Sequence, residues 1–213
     1  MSAALPGFGG IIDISHHQRV VDWRAVRDAG IVAVIHKATE GATFRDPLFR
    51  ERRAAARAAG LLWGSYHYAG TAPVADQVAN YLDHADPGAR DLVCLDYEAG
   101  PSGAAMSAAD LPGFIELIHV QLGRWPVLYG GTLLTSAVAA TGNAATTLAC
   151  CPLWLARYGD APPAVPPPWN RWTLWQHTDG TDGPEPHAVP GIGPCDRDVF
   201  NGTREELLAK WPL

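Results

Sequence analysis

Positive charge is scarce in this chain: 16 lysines and arginines stand against 22 aspartates and glutamates, a formal charge of −6. No basic stripe offsets the carboxylates, and phosphate contacts need clustered Lys and Arg, so a nucleic-acid partner is excluded. Attraction to anionic surfaces is not expected either. Long apolar runs are also missing. Residues 31–35 are a typical maximum, far short of the roughly 18 residues of a membrane span, so no membrane partner is expected. Residues 1–7 carry neither a basic nor an apolar leader segment, so no secretory signal is legible. Cysteine is limited to Cys94, Cys150, Cys151 and Cys195, with no C-x-x-C pair. Buried free thiols are the favoured reading, and a zinc site is not expected. What is plentiful is core material: 47% apolar residues and 8 tryptophans exclude disorder and a stapled miniprotein.

Short β-like runs alternate with helical patterns, the signal of parallel βα units. Strands are predicted at residues 10–14, 31–37, 61–68, 92–98 and 125–129, with helices at 20–29, 46–59, 73–84 and 108–122 between them. The helix at 46–59 is expected to open on Asp46 as an acidic N-cap with Pro47 in its first turn, and to stop at Gly60. Later the pattern changes. Residues 132–148 look helical, 153–157, 172–177 and 199–200 look like strands, and the proline-rich 160–168 and glycine-rich 179–194 read as loops. Too few residues follow the prolines for a second core, so one domain is expected. Eight strands with regular βα units early and β-rich connections late suggest an incomplete α/β barrel of TIM type. An open doubly wound sheet is the alternative, although no Gly-rich phosphate loop follows the first strand.

In such a barrel the chemistry sits at the C-terminal strand ends, and acids recur there: Asp13, Asp96, Glu98, and Asp196 and Asp198 flanking the last strand. Residues i and i+2 of a strand share a face, which puts Asp96 and Glu98 about 6.5 Å apart at their backbones. Two carboxyls that close push their pKa values apart, so one can hold a proton while the other stays charged, the division of labour in glycoside hydrolysis. An ordinary strand end is the bland alternative. A metal site drawn from Asp13, His16, His17, His36, His67 and Asp96 is another, weakened because no histidine pair has ligand spacing. Aromatics gather in the same region: Trp63, Tyr66, Tyr68, Tyr97, Tyr129, Trp154, Tyr158, Trp172 and Trp175. Flat rings with a polar handle suit sugars, while Trp63 and Trp172, near strand starts, read as core.

With these residues placed, the chain resembles the glycoside hydrolase family 25 lysozymes, muramidases of phage endolysins, bacteria and some fungi. The resemblance rests on Asp13-Ile14-Ser15-His16-His17-Gln18 with Val21-Asp22-Trp23, on Lys37-Ala38-Thr39-Glu40-Gly41 followed by Asp46-Pro47-Leu48-Phe49, and on Gly64-Ser65-Tyr66-His67-Tyr68. It continues through Leu95-Asp96-Tyr97-Glu98, Pro126-Val127-Leu128-Tyr129, Trp175-Gln176, and Val189-Pro190-Gly191 with Cys195-Asp196-Arg197-Asp198, covering residues 9 to 202. Cys195 stands where the family has an aliphatic residue. The resemblance implies a single-domain (β/α)5(β)3 barrel over residues 9–213 after an extension at 1–8, no cofactor, and cleavage of the β-1,4 bond between N-acetylmuramic acid and N-acetylglucosamine in peptidoglycan. It implies Glu98 as general acid and Asp96 as the residue orienting the substrate's 2-acetamido group. Asp13 and Asp196 would complete an acidic ring, with Asp198 a polar neighbour, and Tyr66, Tyr129, Trp175, Gln176 and Lys37 would bind saccharide. Spacing alone leaves the carboxyl oxygens ~5 to ~8 Å apart, spanning retaining and inverting geometries, so retention is implied only by the resemblance. A catalytically silent glycan-binding relative and a metal-dependent hydrolase are the competing functions. A monomer is expected, made in the cytoplasm and reaching the wall after release, as endolysins do, or by non-classical delivery.

Overall fold

A computed structural model of the chain describes residues 5–19, 22–100, 102–141 and 145–213. The chain order is β1 (Phe8–Ile14), α1 (Trp23–Asp28), β2 (Ala33–Glu40), β3 (Phe44–Arg45), α2 (Phe49–Ala58), β4 (Leu62–Tyr68), α3 (Val74–Ala85), β5 (Leu92–Asp96), α4 (Leu111–Leu122), β6 (Val127–Gly130), α5 (Thr132–Thr141), α6 (Ala145–Leu148), β7 (Leu153–Ala156), β8 (Leu174–Thr178), β9 (Ala188–Val189), β10 (Gly193–Pro194), β11 (Asp196–Phe200) and α7 (Arg204–Lys210). Strands β1, β2, β4, β5, β6, β7 and β8 pair in parallel, β11 lies antiparallel between β8 and β1, and the β1–β2 pairing closes the ring. Closure decides against the open doubly wound sheet. The architecture is the single-domain α/β barrel with five βα units followed by three strands without regular helices.

Local chemistry places most elements where the alternation put them, with instructive exceptions. Helix α1 begins at Trp23, capped by Asp22 Oδ1, which accepts from the Arg24 and Ala25 amides; the expected start at Val20 and Val21 lies outside the described residues. Helix α2 starts at Phe49, not Asp46. Asp46 is buried, accepting from the Leu48 amide with one oxygen and from the backbone and ring of His16 with the other, so it ties the loop after β1 to the start of α2. Gly60 does end α2, at φ +86° where a Cβ would be strained. Of the helix predicted over 132–148, α5 and α6 cover residues 132–141 and 145–148, and residues 142–144 lie outside the described residues. Strand β1 begins at Phe8, whose ring packs on the barrel floor. The proline loop 160–168 belongs to the same body: Val165 and Trp169 pack on the main core, and Trp169 donates to the Cys151 carbonyl at 2.8 Å. The glycine-rich loop contains the β9–β10 hairpin.

Period-two alternation sorts the strand residues into two layers. Ile12, Ile14, Val34, Trp63, Val93, Leu95, Leu128, Leu153, Leu155, Trp175 and Val199 face outward beneath the helices. Ile11, Ala33, Ile35, Leu92, Cys94, Val127, Leu174 and Phe200 fill the interior, and Leu207 and Trp211 close its floor. Cys94, Cys151 and Cys195 are buried free thiols; Cys150 is exposed, against expectation, because it follows α6 at the surface. No helix among the described residues is long and apolar enough to cross a membrane.

Candidate active site

One step beyond the apolar interior layer, the inward residue turns polar on six of the parallel strands: Asp13 on β1, Lys37 on β2, Tyr66 on β4, Asp96 on β5, Tyr129 on β6 and Gln176 on β8. Because β11 runs antiparallel, its first residue reaches the same mouth, and Asp196 is the register partner of Asp13. These side chains, with Ser15, His17, Tyr68, Glu98, Trp154 and Tyr158, line a cleft of about 620 Å³ including its open mouth.

Strand β5 ends at Asp96, so Glu98 sits in the loop beyond rather than on the strand. Its approach to the cleft is set by the pinned backbone around it: the Tyr97 amide donates to the Tyr129 carbonyl at 2.9 Å, the Ala69 amide to the Asp96 carbonyl at 2.9 Å, and the Tyr68 hydroxyl to the Ala99 carbonyl at 2.8 Å. Tyr97 itself turns into the outer core. Lys37 Nζ donates to Glu40 at 2.5 Å and lies 4.7 Å from the Tyr68 ring centre, holding a cation beside the acids.

The deepest part of the site holds two hydrogen-bonded groups in ring contact with each other. Tyr129 OH donates to Gln176 Oε1 at 2.8 Å and Gln176 Nε2 donates to Asp13 Oδ2 at 2.8 Å. Trp154 Nε1 donates to Asp198 Oδ1 at 2.8 Å, and the Trp154 ring meets the Tyr129 ring edge-on at 4.7 Å. Donors are fewer than acceptors here: Asp96 Oδ1 and Asp198 Oδ2 are buried without a partner among the described residues.

That shortage governs the charge. Burial first, then Glu98 and Asp13, push the Asp96 carboxyl well above the ordinary range, with Lys37 opposing. Burial, then Asp198, do the same to Asp13 against the Gln176 hydrogen bond. Burial raises Glu98, and burial with Asp13 beside it pushes Asp196 up to about 9. A cluster of like charges with so few donors retains protons at neutral pH. Such a site offers both a protonated carboxyl and a charged one, the pair that acid-assisted cleavage of an acetal needs.

Of the site residues expected from sequence, Asp13, Asp96, Glu98, Asp196, Tyr66, Tyr129, Gln176 and Lys37 share this cleft. Trp175 does not. It is fully buried in the outer layer, donates to the Arg157 carbonyl at 2.7 Å and packs near Trp172, because neighbours on a strand face opposite ways and Gln176 is the one facing in. Trp154, its counterpart on β7, takes the inward place. On that strand both faces are apolar, so sequence held no signal that Trp154 faces the cleft. The ligands of the metal alternative are dispersed. His36 donates to the Lys37 carbonyl and accepts from Arg52, and His67 is held between Thr39 and Gln77 on the outer side. His16 binds Asp46, and only His17 of the four lines the cleft.

A closed barrel whose mouth gathers carboxyls, tyrosines and a tryptophan is the plan of a sugar-cleaving hydrolase. The chain belongs to the glycosyl hydrolases family 25, whose model matches residues 12–185. It is 33% identical to lysozyme M1 of Streptomyces globisporus over 93% of this chain and 69% of that one. It is 30% identical to an N,O-diacetylmuramidase of Arthroderma benhamiae over 92% and 83%. The bacterial lysozyme from Streptomyces coelicolor superposes with a TM-score of 0.81 at 30% identity, covering 95% of this chain and 96% of that one. The protein is a glycoside hydrolase with lysozyme activity on peptidoglycan.

Proposed function

We propose that the enzyme cleaves the β-1,4 bond between N-acetylmuramic acid and N-acetylglucosamine, with Glu98 as general acid. Glu98 gives its proton to the leaving oxygen while the 2-acetamido oxygen of the substrate, oriented by Asp96, attacks the anomeric carbon. Water then opens the cyclic intermediate and returns a proton to Glu98, with retention at the anomeric carbon. Asp13 and Asp196 complete the acidic ring, and Tyr66, Tyr129, Gln176 and Lys37 hold the saccharide. The single observation that supports this reading most is the convergence of Asp13, Asp96, Glu98 and Asp196 on one cleft whose carboxyls outnumber their donors. The catalytic unit is taken as residues 9–213, acting as a monomer and reaching the wall after release from the cytoplasm.

Glu98→Gln tests it. Turnover on purified cell walls is expected to fall by at least ~10²-fold, the usual weight of general acid catalysis, with the fold intact. Mass spectra of the muropeptides released by the unaltered enzyme should carry reducing N-acetylmuramic acid; reducing N-acetylglucosamine, or undiminished lysis by the variant, would overturn the assignment.

A further inference from the structure

Asp198 is the carboxyl that the acidic ring does not use. It lies on β11 two residues from Asp196, points into the same interior and is fully buried. One of its oxygens accepts from Trp154 Nε1 at 2.8 Å, and the other receives no N–H. Across the β1–β11 seam it stands diagonal to Asp13, which pairs with Asp196 two residues away on the same face and takes its own N–H from Gln176 at 2.8 Å. Each carboxyl thus has one amide or indole donor, and the second oxygen of Asp198 is left beside Asp13 with none. Two ionised carboxylates offer each other only lone pairs, so a bond between them requires a proton.

We propose that Asp198 is a positioning residue, forming with Asp13 a carboxylic acid–carboxylate pair that holds one proton, and through it fixing how Asp13 is presented to the cleft. The pair carries a net charge of −1 and links the two sides of the mouth, from Tyr129 and Gln176 through Asp13 to Trp154. Asp198 faces Asp13 from β1, the uncharged Trp154 from β7 and Gln176, its register partner, from β8; along its own strand stand Asp196 and Arg197. Burial, then the neighbouring carboxyls, push both members above the ordinary range, in keeping with a retained proton.

The proposal rests on the reading of Asp13 as part of the active cleft, and two variants separate it from that reading. Asp198→Asn supplies the same bonds without a proton, its carbonyl accepting from Trp154 and its amide donating to Asp13; turnover is expected within about threefold of the unaltered enzyme. Asp198→Leu fills the space without either bond and should lose ~10²-fold in kcat with a smaller change in KM, because Asp13 and Trp154 are released together. Thermal midpoints between pH 4 and pH 9 give a readout independent of catalysis. A carboxyl whose folded pKa is raised weakens the fold as pH rises above its unfolded value, so the advantage of Asp198→Asn should grow from acid to alkaline pH. Collapse of turnover in folded Asp198→Asn, full turnover in Asp198→Leu, or a midpoint difference that ignores pH would each overturn the proposal. Should the leucine variant not fold, the asparagine variant decides alone. Failure of the Glu98→Gln test would instead overturn the catalytic reading and leave the midpoint result standing.

Discussion

Two groups of buried polar side chains share this barrel and are satisfied in opposite ways. Beneath α2 and α3, His36 and His67 use both ring nitrogens, Gln77 bonds His67, the Gly70 amide and carbonyl and the Ala72 carbonyl, and Arg52 donates to the Ser15 and Gln18 carbonyls. Donors and acceptors match among these residues. At the mouth, carboxyls outnumber donors, and Asp96 and Asp198 each keep an oxygen without a partner. The titrations diverge accordingly: burial lowers His36 and His67 to about 4, whereas burial and mutual repulsion raise the acids. The difference teaches that a matched buried network holds a fold together, while a mismatched one weakens the fold and keeps protons and charge ready for reaction.

The sharpest way to break this comparison is Asp96→Asn, which keeps the volume and removes a charge. Turnover is expected to fall on the order of 10²-fold or more, while the thermal midpoint at pH 7 rises as repulsion is relieved. A variant both active and no more stable would show that the mouth is not a strained, working site. Gln77→Ala should do the reverse, lowering stability by about 3 kcal/mol through several unmade bonds, with kcat per folded molecule nearly unchanged. Denaturant unfolding alongside initial rates would separate the two.

The pH dependence of stability carries both groups at once. The histidines stay neutral in the fold but take protons in the unfolded chain near 6.5, so their contribution is present above that pH and lost as pH falls toward about 4. The raised acids act oppositely, weakening the fold as pH climbs from the ordinary carboxyl range toward about 9 for Asp196. Asp196→Asn should therefore flatten the alkaline side of a midpoint-versus-pH curve and steepen the rise on its acid side, where the histidines then act unopposed by this group; flattening of the acid side instead would reverse the assignment. The smallest effect is expected for Tyr68→Phe, which frees the Ala99 carbonyl beyond Glu98. A loss of roughly fivefold in kcat, from one hydrogen bond of about 1 kcal/mol, with little change in midpoint, would place Tyr68 among the groups that aim the acid.

Much of this was legible in the strands themselves. Period two, applied to Asp13, Lys37, Tyr66, Asp96, Tyr129 and Gln176, puts each on the inward face at the C-terminal end of its strand. The same rule forbids adjacent Trp175 and Gln176 from both lining the cleft, which is where the expectation for Trp175 went astray. Glu98 escaped the rule because β5 stops at Asp96, and its placement depends on bonds from Tyr97 and Tyr68 to other segments. Asp46 looked like a helix cap by position, yet its partner His16 lies thirty residues away in sequence.

By itself, then, the sequence determined the succession of βα units, the face each strand buries and the residue types brought to the mouth, since alternation and capping are set by neighbours within a few positions. Tertiary structure alone decided that β11 turns antiparallel so that Asp196 meets Asp13, that Trp154 faces the cleft, and that Asp198 bonds Trp154 beside the closing seam. It also decided the protonation of the acids. A carboxyl's pKa depends on how much water is removed and which charges are brought close, and both are fixed only when distant strands close the barrel.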